Sequence, residues 1–190
     1  DDMDERTFRG TLQELTQQSQ KFLEATALAS DEAYQSMLEQ SLRVFTRRVG
    51  ELLEAERASL FLVDRERQQL VLRVAQDMPE GEYVRIPLAS GIAGAAAMSG
   101  KVVRIDDAYA DPRFNQAVDA ETGFRTRSML CLPLQDRSGA VFAVTQLLNR
   151  RDGRPFDEHD TRRYAEFAAS LSVLLESLVK VGGTTARRAP

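Results

Sequence analysis

Histidine and cysteine are scarce in this chain, with one of each, His159 and Cys131, and tryptophan is absent altogether. A lone histidine excludes a histidine dyad or a multi-histidine metal site. A lone cysteine excludes an internal disulfide and fits a reducing compartment. No apolar run approaches the roughly 18 residues that a membrane-spanning helix needs, and the first residues do not read as a basic-then-apolar leader. Basic residues are not in excess: 25 Lys and Arg against 29 Asp and Glu leave a formal net charge of -4. A general nucleic-acid binder would carry a basic face instead. The chain opens on Asp1 rather than Met, which points to a cytosolic segment of a longer protein.

What is present is ordinary for a globular domain: 190 residues, 43% hydrophobic and 28% charged. That length accommodates a domain of roughly 150 residues with additional helices. Such a domain buries roughly two-thirds of its surface and needs no metal or disulfide. Phe8, Leu12, Leu15, Phe22 and Ala29 step by helical spacing through a polar segment. That segment is too polar for a buried core helix, and reads either as a solvated linker or as half of a dimeric coiled coil. Ser30 and Asp31 offer caps for a second helix, whose stripe is Leu38, Leu42, Phe45, Val49 and Leu52. The period then changes. Residues 58–64, 69–75, 83–88, 101–105, 127–135 and 140–148 read as strands, mostly joined as hairpins. Gly91–Ser99 reads as a small-residue helix closed by Gly100. Asp106–Gly123 reads as a long loop with room for a short helix, and a last helix starts near Asp157 with Tyr164, Phe167, Leu171, Leu174, Leu175 and Leu178 inward. The sum is an α+β fold on an antiparallel sheet. The divisions are a linker or dimerisation helix over 1–30, a domain over 31–180, and a disordered tail over 181–190. The terminal helices carry more apolar stripe than one sheet face covers, so a helical dimer is expected.

No catalytic constellation is visible. His159 sits among acidic residues at a helix start and reads as an exposed bystander, while Cys131 lies between two leucines and reads as a packing residue. The acids Asp106, Asp107, Asp111, Asp119 and Glu121 lack the spacing of a calcium loop. Neither a catalytic residue nor a metal ligand is assigned. Ser90-Gly91-Ile92-Ala93-Gly94 opens a helix after an apolar strand, where unpaired amides and the helix dipole favour an anion. Its glycines equally fit close helix–sheet packing. Gln146, inside an apolar strand, either faces solvent or meets a partner or ligand. Thr122 and Thr126 are further polar candidates that could converge with it.

The run from Gly91 to Leu134, GIAGAAAMSGKVVRIDDAYADPRFNQAVDAETGFRTRSMLCLPL, resembles the GAF domains of the cyclic-nucleotide-binding type, and the resemblance extends from about Tyr34 to Leu178. Those domains occur in the regulatory regions of mammalian phosphodiesterases and cyanobacterial adenylyl cyclases. They carry Asn-Lys, then Phe, then Asp-Glu. Here Asn149-Arg150, Phe156 and Asp160 stand at matching spacing, with Thr161 in place of the Glu. The resemblance implies a six-stranded antiparallel sheet with helices packed behind it and a ligand pocket on the other face. It implies an internal ion pair between Arg150 and Asp160 that braces the fold. It maps phosphate-binding amides onto Ile92 and Ala93, and pocket contacts onto Ser59, Asp119, Thr122, Thr126 and Gln146.

Two departures bear on the base. Ala75 replaces the stacking aromatic of some phosphodiesterase domains, and Gln76 and Asn115 replace an acidic base-reading residue and a pocket Tyr. An amide donates or accepts, so Gln76 alone does not choose adenine or guanine. The pattern leans slightly to cyclic AMP over cyclic GMP. Bilin-binding members of the family need a Cys in the long loop, haem-binding members a differently placed His, and methionine-sulfoxide reductases several Cys. None of these fits. The expectation is therefore a cytoplasmic regulatory domain, not an enzyme. It would bind a cyclic nucleotide without any cofactor and signal through a homodimer to an output domain. The alternative is a ligand-free GAF scaffold for dimerisation and relay.

Overall fold

The computed structural model describes residues 5–26, 31–76, 78–79, 81–169, 172 and 176. The side chains of Phe22 and Leu38, together with Ala29, Ser30, Leu171, Leu174, Leu175, Leu178 and the expected tail 181–190, lie outside what is described. Two helices, α1 (Glu5–Thr26) and α2 (Asp31–Leu52), precede strands β1 (Ala55–Asp64), β2 (Gln69–Val74) and β3 (Val84–Pro87). Helix α3 (Gly91–Ser99) and strand β4 (Val103–Ile105) follow, then a 3-10 turn (Ala108–Ala110) and helix α4 (Gln116–Thr122). Strands β5 (Met129–Gln135) and β6 (Val141–Arg150) complete the sheet. Helix α5, residues 158–169, closes the described part. All the pairings are antiparallel in one six-stranded sheet of order β3-β2-β1-β6-β5-β4.

The alternation of side chains along each strand sorts the core into two layers. Leu60 of β1, Leu130, Leu132 and Leu134 of β5, and Ala143 and Leu147 of β6 face the long helices, joining Leu42, Phe45, Val49 and Phe167. Phe61, Met129, Cys131 and Val144 face the opposite side and pack with Ile92, Ala93, Ala96 and Ala97 of α3. Both faces of the sheet are therefore covered, which is why its central strands read as nearly continuous apolar runs. Helix α2 approaches closely at Gly50, where a β-carbon would stand 3.0 Å from that of Ala58. The Phe45 and Phe167 rings, 5.1 Å apart, join α2 to α5. Tyr164 ties α5 to the sheet through a hydrogen bond between its hydroxyl and that of Thr145.

One expectation is corrected. Helix α1 does reach the core: Phe8 and Leu15 are 5% and 6% exposed and belong to the helix-side cluster. The helix is polar around most of its circumference, but a narrow stripe suffices when it lies on other helices rather than on a sheet. Arg163 of α5 also stacks over the Phe8 ring at 5.6 Å. The long loop after β4 holds the expected short helix, α4, and a 3-10 turn before it.

Candidate functional site

On the α3 side of the sheet, three polar or thiol residues stand in one row across three strands. Ser59 of β1 pairs with Gln146 of β6, and Gln146 with Cys131 of β5. Ser59 is 9% exposed, and its hydroxyl has no hydrogen-bond partner among the described residues. Gln146 is half-buried and its Oε1 accepts a hydrogen bond from the Cys131 thiol at 3.4 Å. Apart from the half-buried Arg57, which stacks 4.0 Å over the Phe124 ring, most of this face is apolar, and the Ser59 hydroxyl and the Gln146 amide stand side by side on it as a polar floor.

Helix α3 supplies the second wall. Gly91 has φ 64, in the left-handed region, so the chain turns sharply into the helix at that point. The Ser90 side chain makes no capping bond. The first amides of a helix have no acceptor within it, so those of Ile92 and Ala93 are the groups an anion would meet. Gly94 has a packing role. A β-carbon there would lie 2.6 Å from the Ala89 carbonyl carbon and 2.7 Å from the Leu88 oxygen.

The third wall is the segment from Asp106 to Ser128. Ala108, Tyr109 and Phe114 pack into the α3-side cluster, and the Arg113 carbonyl passes 3.9 Å from where a Gly91 β-carbon would sit. This lid is built by its own hydrogen bonds. Asp119, 6% exposed, accepts from the Thr126 amide at 2.6 Å, the Thr126 hydroxyl at 2.7 Å and the Tyr109 hydroxyl at 3.0 Å. Arg125 lies 3.5 Å over the Tyr109 ring. Desolvation, and then the bond to Asp119, raise the Tyr109 hydroxyl above its ordinary titration range. Arg113 holds Asp111 through its Nε at 2.9 Å and Nη2 at 2.7 Å, which keeps that carboxyl at about 2.

Below the lid lies the expected brace, with more parts than the spacing of its residues shows. Asn149 is fully buried, and its Oδ1 accepts from the Arg127 amide at 2.6 Å and the Ser128 amide at 3.2 Å. Its Nδ2 donates to the Arg125 carbonyl and to Glu56, each at 2.9 Å. Arg150 Nη1 lies 2.7 Å from both oxygens of Asp160, while its other nitrogens reach Asp152 and Glu54. Burial opposes the Arg150 charge, but the bonds to Asp160 and Asp152 outweigh it and raise the guanidinium further. Asp160 and Asp157 also cap α5 reciprocally: each carboxylate accepts the other's amide at 2.9 Å. Phe156 is 1% exposed in the helix-side core.

The structure thus gathers Ser59, Gln146, Ile92 and Ala93 on one side of the sheet. It places the other candidates differently. Asn115 caps α4 by accepting from the Ala117 amide at 3.1 Å, and the exposed Thr122 donates to the Val118 carbonyl at 2.8 Å. Gln76 is exposed in the turn after β2. Asp119 and Thr126 satisfy each other. Tyr109, Arg113 and Arg125 join the site without having been singled out, because a loop without period offers no register from which to infer their neighbours. A cavity of about 220 Å³ lies elsewhere, between α1 and α2, lined by Leu15, Met37, Val44 and Phe45 among others. It is on the helical side, away from the row of polar residues.

Comparisons with known proteins identify the fold and the family. The chain is 38% identical over 134 residues to a dual 3',5'-cyclic-AMP and -GMP phosphodiesterase 11 of Drosophila melanogaster, covering 63% of this chain and 9% of that protein. It is 35% identical over 136 residues to a cGMP-specific 3',5'-cyclic phosphodiesterase of Drosophila virilis, covering 63% of the chain and 15% of the relative. It therefore spans a small part of the curated relatives it matches. Among solved structures, the GAF domain from an Acinetobacter phosphoenolpyruvate-protein phosphotransferase superposes with a TM-score of 0.68 at 19% identity, covering 94% of this chain and 98% of that one. A free methionine-R-sulfoxide reductase from Neisseria meningitidis, solved with its substrate, superposes with a TM-score of 0.61 at 24% identity, covering 80% and 95%. At those identities the likeness is one of fold. The model of the GAF domain family matches residues 37–175, and with the six-stranded sheet, the α3 wall and the Asn149–Asp160 brace in place, the chain belongs to the GAF domain family.

Proposed function

We propose that this chain is a cytoplasmic sensory domain that binds a cyclic nucleotide between α3, the sheet and the lid, and relays occupancy to an output domain through its long helices as a homodimer. The observation that carries this reading is the polar floor. Ser59 and Gln146 lie side by side on a largely apolar sheet face, on the same side as the α3 amides, and neither the Ser59 hydroxyl nor the Gln146 NH2 group has a partner among the described residues. In this reading the amides of Ile92 and Ala93 hold the cyclic phosphate, and Ser59 and Gln146 meet the nucleoside. Gln76 and Asn115 lie at the rim, and Asp119, Thr122 and Thr126 shape the lid. Cyclic AMP is slightly favoured over cyclic GMP, and no cofactor takes part. The exposed Val44, beside the cavity between α1 and α2, supports the dimer by offering a partner helix an apolar contact.

Thermal unfolding with each nucleotide tests the reading. At about 100 times the dissociation constant a ligand adds roughly 2.7 kcal/mol to native stability. Ser59→Leu, which blocks the floor, is expected to abolish the shift. No shift with either nucleotide, in protein verified as folded and ligand-free, would sink the proposal. The second reading, a ligand-free relay scaffold, is favoured by the lid: Asn115, Asp119, Thr122 and Thr126 spend their hydrogen bonds on one another or on α4. Under that reading the chain sediments at roughly twice the single-chain mass whether or not nucleotide is present, and its melting temperature does not respond to nucleotide.

A further inference from the structure

We infer that Cys131 fixes the hydrogen-bonding sense of Gln146, so that the pocket floor presents N–H donors and selects its ligand by an acceptor group. The inference rests on the cyclic-nucleotide reading for the nature of the ligand, but not for the geometry.

A glutamine amide at the end of its side chain has a nearly two-fold torsional profile, so its oxygen and nitrogen ends exchange at little intrinsic cost. A neighbour therefore decides which end faces a ligand. In the row across β5, β6 and β1, that neighbour is Cys131, which is fully buried beside Gln146. Its Sγ lies 3.4 Å from Gln146 Oε1, with the thiol as donor. Burial pushes the thiol's titration far up, so it remains a protonated donor at neutral pH. A thiol is a weak donor and a weaker acceptor still, which favours the amide oxygen on its side over the NH2 group. With Oε1 turned toward β5, the Nε2 hydrogens point away from it, and they have no partner among the described residues. The Ser59 hydroxyl on the far side of Gln146 rotates freely and adapts to either sense. Gln146 alone therefore sets the polarity of the floor, and Cys131 acts on the ligand only by positioning it.

Because the chain has a single cysteine, its S–H stretching band belongs to Cys131 alone. In infrared spectra of the whole chain, with Cys131→Ala as the blank, this band is expected at a hydrogen-bonded frequency. It should move to the free-thiol position in Gln146→Leu. A band that does not move when the amide is removed overturns the inference. The ligand half is read by calorimetry, as the ratio of the dissociation constants for cyclic AMP and cyclic GMP. In Cys131→Ala the amide is free to turn, and the ratio is expected to change by roughly two- to tenfold, the range of one neutral hydrogen bond. Cys131→Ser puts a hydroxyl that both donates and accepts beside the amide, so it too frees Gln146 to turn and should shift the ratio in the same direction as alanine. An unchanged ratio in the alanine variant, with melting curves showing that it is folded, overturns the selection. If the wild-type chain binds neither nucleotide, the cyclic-nucleotide reading fails, and the spectroscopic result still decides the sense of Gln146.

Discussion

Asn149 combines two properties that few residue types share. Its φ of 53 lies in the left-handed region, which Asn tolerates better than other side chains with a β-carbon. Its amide makes four hydrogen bonds with no solvent exposure. Alanine would keep the strained backbone and leave the Arg127 and Ser128 amides and the Arg125 carbonyl short of partners. A loss of about 2–4 kcal/mol in urea unfolding is expected for Asn149→Ala. Asp111 gives a pH-dependent counterpart. Arg113 depresses its folded-state titration to about 2, against roughly 4 in an unfolded chain. The ion pair therefore adds stability that is fully present above about pH 4 and is lost as the pH falls toward about 2. Asp111→Asn is expected to remove that increment, so that amide exchange in the lid becomes faster at pH 6 and less sensitive to acid. The brace residues were legible because Asn149, Arg150, Phe156 and Asp160 match the spacing of the family motif that the sequence resembles. The local backbone bonds of Asn115 and Thr122 were not legible, because a short polar residue bonds the backbone of a nearby helix as readily as it binds a ligand.

At the scale of elements, α3 is the one whose placement has the least tolerance. Gly94→Ala would drive a methyl group to 2.6 Å from the backbone of Ala89, so the helix would have to move off the strand that leads into it. A loss of about 1–3 kcal/mol is expected, together with loss of any nucleotide-induced shift, since the amides of Ile92 and Ala93 move with the helix. A melting temperature equal to that of the wild type would contradict this. This element was also the most legible in advance, with Gly91 and Gly100 marking its ends where both are found. The strands were legible as short apolar runs between turn signals, with boundaries off by one to three residues where charged ends such as Arg57 continue the ladder. Helix α1 was misjudged because mean polarity conceals a narrow stripe. Phe8 and Leu15 bury against other helices, where two side chains a few turns apart are enough.

Taken as a whole molecule, the sheet divides the long helices from the α3 side, which carries the proposed pocket. Strand β6 lies at its centre, between β1 and β5. Consecutive residues of that strand face opposite ways. Thr145 bonds to Tyr164 of α5, and Gln146 belongs to the proposed pocket floor. The two halves are thus one peptide unit apart. Any preference of a ligand for a particular position of Gln146 is also a preference for a position of α5, and the coupling runs equally in the other direction. Tyr164→Phe cuts that link without disturbing the floor. It is expected to cost about 1 kcal/mol of stability and to change nucleotide affinity although Tyr164 itself lies on the far side of the sheet. An unaltered affinity, measured by calorimetry, would show that the halves are insulated. Such a fold needs no chain of intermediaries to carry a message: the partition that keeps ligand and helices apart is thin enough to serve as the membrane of a drum, struck on one side and heard on the other.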